Sequence, residues 1–442
     1  MRKPKLPKGE FQAQIESLTL EGRGVSHIDG KATFIGRALP GETVRFIYTD
    51  RKKHFDEGDT VAVEQASPDR ITPPCPHFDQ CGGCAMQHLT SEKQLATKEQ
   101  ALFDQLQRIG KVVPETVLPA LARANWGYRR KARLGVKYVH KKGRVIVGFR
   151  ERHTHFLSDL QSCRVLDPRV GERLTDIGET ILSLEARELI PQIEVACGDD
   201  RVALVFRHLE PLSQSDKEKL RAFGIQEGFD IYLQPGNNDS IHPLDKALVA
   251  PLTYAHSSFD VSIEFAPLDF IQINTDINRA MIVQALQWLD VQPGDHVLDL
   301  FAGLGNFTLP IARKAAKVTA VELDEPMVER GAQSAAANGI TNTEHVIGNL
   351  FEPDPTHLWM QQTYDRVLLD PPRAGAEAMM PHIARFAPER IVYISCHPGS
   401  LARDAHILVH EHGYRLITAG VMDMFPHTSH IESMAVFERA KT

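Results

Sequence analysis

The sequence predicts a doubly wound α/β domain in its C-terminal part, preceded by a small β-barrel and a central α+β segment. Three observations carry this. From about residue 265 onward, short apolar runs alternate with helical patterns, as in a parallel sheet covered on both faces. Within that region Val297, Leu298 and Leu300 form a buried-strand run that empties into Gly303 and Gly305 before helical pattern resumes near Phe307. Ahead of residue 67, apolar and polar residues alternate in short runs between close turns. The boundaries fall at 1–67, 68–264 and 265–442.

The totals fit this reading. A chain of 442 residues accommodates two or three domains, and 24% charged with 42% hydrophobic residues is an ordinary soluble balance. The net charge of −7 excludes a uniformly basic surface. Residues 1–10 are basic but no apolar core follows them, so they are no secretory signal. No apolar run reaches membrane-spanning length, and no membrane partner is expected. Six cysteines are too few for a disulfide scaffold. In a reducing cytoplasm, clustered cysteines mean metal binding or catalysis.

In chain order, Phe11, Ala13 and Ile15 alternate with polar residues, and Asp29-Gly30 marks a hairpin. Pro40-Gly41 is a second turn, followed by Val44, Phe46 and Tyr48 in alternation; Gly58-Asp59 then leads to Val61 and Val63. Such short strands suit a small barrel. Glu21-Gly22-Arg23-Gly24-Val25 followed by Ala38-Leu39-Pro40-Gly41-Glu42 resembles a TRAM domain, an oligonucleotide-binding-like (OB-like) barrel found on RNA-modifying enzymes. Pro68, Pro73, Pro74 and Pro76 break the pattern, and a helix is expected over 91–109 with Gly110 as its stop.

Residues 121–152 hold eleven Lys and Arg and one acid, Glu151. The stretch carries +10, leaving −17 for the rest of the chain. Trp126 and Tyr128 lie among Arg129, Arg130, Lys131 and Arg133. A short charge run is usually a solvated face, but this sign bias with interleaved aromatics favours a polyanion surface: cations for phosphates, rings for unpaired bases. Residues 164–255 show mixed helix and strand, a loop at 234–239, and no motif.

In the last third, Asn274 suits the cap of a helix with apolar positions Ile277, Met281, Ala285 and Leu289, ended by Pro293-Gly294. The glycine turn is not the dinucleotide fingerprint, because its third glycine position is Thr308. Asp299 precedes the turn, and the strand from Val318 to Val321 ends in Glu322, where a ribose-binding acid belongs. Acids near the loop are tolerable when the ligand has no phosphate. That fits S-adenosylmethionine, and the stretch resembles the first two motifs of class I S-adenosylmethionine-dependent methyltransferases.

Four constellations carry chemistry. Cys75, Cys81 and Cys84, with Cys163 downstream, have only one of the two C-x2-C knuckles that zinc sites usually pair, so a [4Fe–4S] cluster suits them better than zinc. Cys197 stands alone and reads as core. Asp370-Pro371-Pro372-Arg373 stiffens a loop at the sheet's carboxyl edge. Amino methyltransferases usually end a similar stretch in an aromatic residue, and here Arg373 stands there. The apolar run from Ile391 to Ser395 delivers Cys396 at that same edge. His430-Ile431-Glu432 precedes the last strand and offers a proton acceptor. Carbon 5 of uracil becomes nucleophilic only after a nucleophile adds to carbon 6, and its proton must then leave. A thiolate at Cys396 and a base at Glu432 answer both needs.

With these residues in place, nearly the whole chain resembles the RNA uracil-C5 methyltransferases. The resemblance implies that Cys75, Cys81, Cys84 and Cys163 ligate a [4Fe–4S] cluster. It implies that Gln272, Phe301, Gly303, Asn306, Glu322, Asn349 and Asp370 belong to the S-adenosylmethionine site, with Cys396 as nucleophile and Glu432 as proton-abstracting base. It places Tyr128, Arg129, Arg130, Lys131 and Arg133 in an RNA-contacting stretch, to which the charge argument adds Trp126, and it packs helix 91–110 on the catalytic domain. The family usually has Asn after the nucleophile, and this chain has His397. Family members with both a TRAM domain and a cluster methylate 23S ribosomal RNA, so a monomeric cytoplasmic enzyme acting on that RNA is expected. Rival readings are the same chemistry on another 23S site or on tRNA, a non-catalytic RNA-binding iron–sulfur assembly factor, and an amino-methylating enzyme with a zinc knuckle.

Overall fold

The computed structural model describes residues 6–19, 21–152 and 154–440. The first half of the basic opening stretch, residues 1–5, lies outside them.

The N-terminal unit is a six-stranded sheet whose two ends meet in one stretch of chain. Strand Phe11–Gln14 pairs with Thr43–Arg51, and its continuation Ser17–Leu18 pairs with Gly24–Ile28. The alternation turns Ala13, Ile15, Ile35, Val44 and Phe46 inward as one core. Asp29 and Gly30 both take positive φ, 51° and 77°, the two-residue turn that matches strand twist.

The central unit is another six-stranded sheet. Lys131–Val139 lies between Arg144–Gly148 and Gln192–Cys197, and Val202–Arg207, Phe229–Gln234 and His242–Pro243 follow outward. Helices Leu174–Ser183 and Gln214–Glu227 cover it and share a core that includes Leu134, Ile177, Phe206 and Leu220. Cys197 is fully buried in that core, as expected.

The C-terminal unit carries the third large sheet. Its strands are β1 (His296–Leu300), β2 (Lys317–Glu322), β3 (Thr343–Ile347), β4 (Arg366–Leu369), β5 (Arg390–Ser395), β6 (Tyr414–Met422) and β7 (Glu432–Arg439). The order is β3-β2-β1-β4-β5-β7-β6, with the short strand Thr116–Val117 added beside β6 as an eighth, and all are parallel except β7, which runs antiparallel to both neighbours. Helix Thr275–Leu289 starts where Asn274 Oδ1 accepts from Ile277 N, and it buries Ile277, Met281, Ala285 and Leu289. It ends earlier than Pro293-Gly294 suggests, because Asp290 adopts the left-handed conformation, φ 53°.

Two segments from outside this region join its core. Helix Ser91–Gln105, extended by a π-turn to Gly110, packs Ala101, Leu102 and Leu106 against Leu401 and Ala405. The hairpin Leu252–His256 with Val261–Phe265 packs with Met281 and Leu286. Among the described residues no helix is long and apolar enough to cross a membrane.

Candidate active site

The site forms where β1 leaves the sheet. Phe301 follows with φ 61°, Gly303 with 54° and Gly305 with 87°. A side chain at Gly303 would be strained and would meet Met327 at 3.2 Å. Glu322, the last residue of β2, accepts from Gly303 N at 3.1 Å, Leu323 N at 2.7 Å and Asp324 N at 3.1 Å. The acid therefore fixes the turn as well as facing the space above it. Asp299 is buried beneath and accepts from Thr308 Oγ1, which ties β1 to the helix after the turn. Burial pushes the Asp299 carboxyl up to about 7.

Above the carboxyl ends of the strands lies a cavity of about 550 Å³. Gln272, Phe301, Gly303, Glu322, Asp370, Cys396 and Glu432 all line it, so the glycine turn and the candidate nucleophile share one space. Gln272 Nε2 donates to Asp370 Oδ2 at 3.0 Å. Sequence reasoning missed the apolar wall, which includes Phe270, Leu323, Leu350 and Phe351; the Phe301 and Phe351 rings lie 5.8 Å apart. It also missed the pair in which Arg373 Nη2 donates to His430 Nδ1 at 2.7 Å. Both partners stood in quoted motifs, but nothing local links positions 57 residues apart.

Two expected contacts sit elsewhere. Asn306 is absent from the cavity wall: its amide exchanges hydrogen bonds with Asn278 at 2.9 and 3.0 Å, and its Oδ1 also lies 3.1 Å from His256 Nε2. It braces the glycine turn from behind. Asn349 is exposed, its Oδ1 accepts from Phe351 N at 3.0 Å, and its neighbours Gly348 and Leu350 are the ones that face the cavity.

Cys396 and Glu432 meet because β5 and β7 are antiparallel neighbours. The register pairs Ser395 with Ser433, which sets Cys396 opposite Glu432 on one face. Burial, then the acids Glu432 and Asp370, push the Cys396 thiol up to about 11, with Arg373 acting the other way. Burial also raises the Glu432 and Asp370 carboxyls, and the nearby Asp370 raises Glu432 further. Glu432 is 2% exposed and its Oε1 has no hydrogen-bond partner. Two acids and a thiol crowded together on one cavity wall favour a ligand that brings positive charge.

Cys75, Cys81, Cys84 and Cys163 all line a second cavity of about 250 Å³. Gly83 N donates to Cys81 Sγ at 3.4 Å, and Cys75 N to Gln87 Oε1 at 3.2 Å. Burial pushes Cys84 up to about 12. Among the described residues no three His, Cys, Asp or Glu side chains close around a single metal ion. His430 lines this cavity and the larger one alike.

The aromatics of the basic stretch are not free. Tyr128 is buried and donates to the Pro426 carbonyl at 2.8 Å; Trp126 stacks on His427 at 3.9 Å, with Arg164 over its ring at 4.8 Å. Both rings are held against the loop ahead of β7. Arg130 pairs with Asp199 at 2.6 Å, Arg129 Nε donates to the Lys131 carbonyl, and Lys131 donates to the Pro267 carbonyl. Arg133, paired with Glu194, and Lys137, Lys141 and Lys142 remain exposed.

A sheet of this order, with a glycine turn after β1 and an acid ending β2, defines a class I methyltransferase. The family model described as tRNA (uracil-5-)-methyltransferase matches residues 202–348 and 358–440. A protein of Alkalilimnicola ehrlichii named 23S rRNA (uracil(1939)-C(5))-methyltransferase RlmD is 50% identical over 438 residues, 99% of this chain and 98% of that one. One of the same name from Methylococcus capsulatus is 49% identical over 99% of both chains. The crystal structure of Pyrococcus abyssi tRNA (uracil-54, C5)-methyltransferase in complex with S-adenosyl-L-homocysteine matches the fold, with a TM-score of 0.72, 22% identity and coverage of 97% and 100%. The chain belongs to the RNA uracil-5-methyltransferase family.

Proposed function

We propose that the protein methylates carbon 5 of a uridine in 23S ribosomal RNA, using S-adenosylmethionine and a covalent bond to Cys396. The observation that carries this is the placing of Cys396 opposite Glu432 within the cavity that the glycine turn floors. The relatives' shared name, at about half identity over the whole chain, supports the choice of RNA.

The cofactor, when bound, supplies an electrophilic methyl group on a sulfonium. Glu322 and the glycine turn would hold its ribose end, with Phe301 and Phe351 against the base. The acids Asp370 and Glu432 would face its charge. Cys396 thiolate bonds to carbon 6 of a flipped uracil, and the carbon 5–carbon 6 π electrons move toward oxygen 4. Carbon 5 then bonds to the methyl carbon as the methyl–sulfonium bond breaks, its electron pair staying on sulfur, so that S-adenosylhomocysteine is the leaving group. Glu432 removes the remaining proton at carbon 5, the double bond re-forms, and the carbon–sulfur bond breaks to return the thiolate. Arg373, held by His430, faces this space as a cationic wall residue.

Cys75, Cys81, Cys84 and Cys163 would hold a [4Fe–4S] cluster. Their support is that all four thiol donors line one cavity. The cluster would supply a covalent tie between the proline-flanked loop and the segment at residue 163. The N-terminal sheet reads as a TRAM domain, and Arg133, Lys137, Lys141 and Lys142 as phosphate contacts. The protein works as a cytoplasmic monomer.

Mass mapping of 5-methyluridine after incubation of unmodified 23S RNA and tRNA with protein and S-adenosylmethionine tests the reading. Methylation of 23S RNA, lost in Cys396→Ala, is expected. Methyl groups on tRNA alone would overturn the substrate. Full activity of Cys396→Ala would overturn the mechanism. Iron content near four atoms per chain, with brown absorption, tests the cluster.

A further inference from the structure

Glu432 is buried, and no side chain of the protein hydrogen-bonds its Oε1, so the backbone that carries it matters to where its carboxylate points. Glu432 opens β7, and the loop from Asp423 to His430 leads into it. That loop is held from outside the catalytic sheet by two buried polar side chains of helix Ser91–Gln105, Gln94 and Lys98, each 2% exposed. Gln94 Oε1 accepts from His427 N at 3.0 Å, and its Nε2 lies 3.3 Å from His427 Nδ1. The same Nε2 donates to the carbonyls of Met86 at 2.9 Å and Leu89 at 2.8 Å. Lys98 Nζ donates to Asp423 Oδ1 at 2.7 Å and to the Phe425 carbonyl at 2.9 Å.

One amide thus joins three segments. The stretch after Cys84 completes the arrangement, because Ala85 N and Met86 N both donate to the His427 carbonyl, at 2.8 and 3.0 Å. His427 itself sits at φ 64°, a conformation that a histidine keeps only under external restraint. Leucine or methionine at positions 94 and 98 would have filled the same volume. Buried polar groups with every partner present fix one arrangement of backbone instead. The residues they fix are the ones next to Phe425 and His430 on the catalytic wall.

We propose that Gln94 is a positioning residue for the proton-abstraction step: it locks the cysteine-bearing loop to the loop that aims Glu432. The proposal rests on the reading of Glu432 as the base. It makes the segment of residues 81–94 part of the catalytic apparatus without any contact with substrate. Lys98 anchors the other end of the same loop.

The test is Gln94→Met, which keeps length and removes both the donor and the acceptor, in the full-length protein with a 23S RNA fragment. Two readouts are followed: the covalent protein–RNA species on denaturing gels in single turnover, and amide hydrogen exchange across residues 424–430. Methyl transfer into the adduct is expected to stay within about twofold of the parent while release slows about tenfold, the scale of one lost buried hydrogen-bonded group. Exchange across 424–430 rises, and that of β1 and β5 does not. Release as fast as in the parent, or an equal fall in transfer and release, overturns the proposal. Glu432→Gln is the control: should it fail to accumulate adduct, the base assignment falls instead. Unchanged exchange across 424–430 in Gln94→Met would then overturn the positioning role by itself.

Discussion

Cys396 stands directly across from Glu432, because Ser395 and Ser433 are partners in the antiparallel register of β5 and β7. Thirty-five intervening residues, including all of β6, are looped out to make this pair. Removing either group should stop the reaction at a different point. Cys396→Ala forms no protein–RNA adduct. Glu432→Gln forms it, methylates it, and releases product slower by about 10²–10⁴-fold, the usual contribution of a positioned base. Denaturing gels with labelled RNA and labelled methyl donor separate the two.

The thiol's environment sets a pH dependence. Burial and two neighbouring acids hold Cys396 up to about 11, so in the free protein the thiolate fraction grows throughout the neutral and mildly alkaline range. Alkylation of the Cys396 peptide by iodoacetamide, followed by mass spectrometry, should rise about tenfold per pH unit from 7 to 10. S-adenosylmethionine should move that profile to lower pH than S-adenosylhomocysteine, which has the same shape without the charge. Coincident profiles would remove the electrostatic role given to the sulfonium.

His397 takes the place of the usual asparagine without loss of the local hydrogen bond. Its Nδ1 accepts from Ser400 N at 3.1 Å and caps helix Pro398–His406. His397→Asn should therefore leave thermal stability and turnover near the parent. His397→Ala should cost about 1 kcal/mol, measured by denaturant unfolding.

The exposed cations on and beyond strand Lys131–Val139 should carry RNA affinity. Arg133 and Lys137 lie on the same face, two pleats apart along one strand. The double change Arg133→Glu with Lys137→Glu should weaken RNA binding and lower the slope of log affinity against log salt by about 2. Trp126→Ala should instead lower stability, since its ring is partly buried and stacks on His427. A variant with normal stability and lost RNA stacking would reverse that assignment.

Much of the site was legible because its parts are local. A strand that empties into glycines, an acid ending the next strand, and prolines stopping a third each have a chain-local physical cause. Gly303, Glu322, Asp370 and Cys396 could be named from those causes, and all line one cavity. Asn306 and Asn349 show where locality ends. Each lies at the right place in the chain, but the direction of an amide depends on its partners, and these are Asn278 and His256 for one and Phe351 N for the other. The basic stretch shows the same limit. Charge counts fix how many cations there are, while the ion pair with Asp199 decides that Arg130 is already engaged.

By itself the sequence determined the three kinds of unit, the glycine turn, the four clustered thiols, and the presence of a thiol and an acid at strand ends. These follow from periodicity, backbone freedom and side-chain chemistry within a few residues. Only the tertiary structure decided that helix Ser91–Gln105 leaves its own region to pin the loop before Glu432, and that Tyr128 and Trp126 face inward. Contacts across 300 residues depend on how separately formed surfaces pack, and no local pattern encodes that.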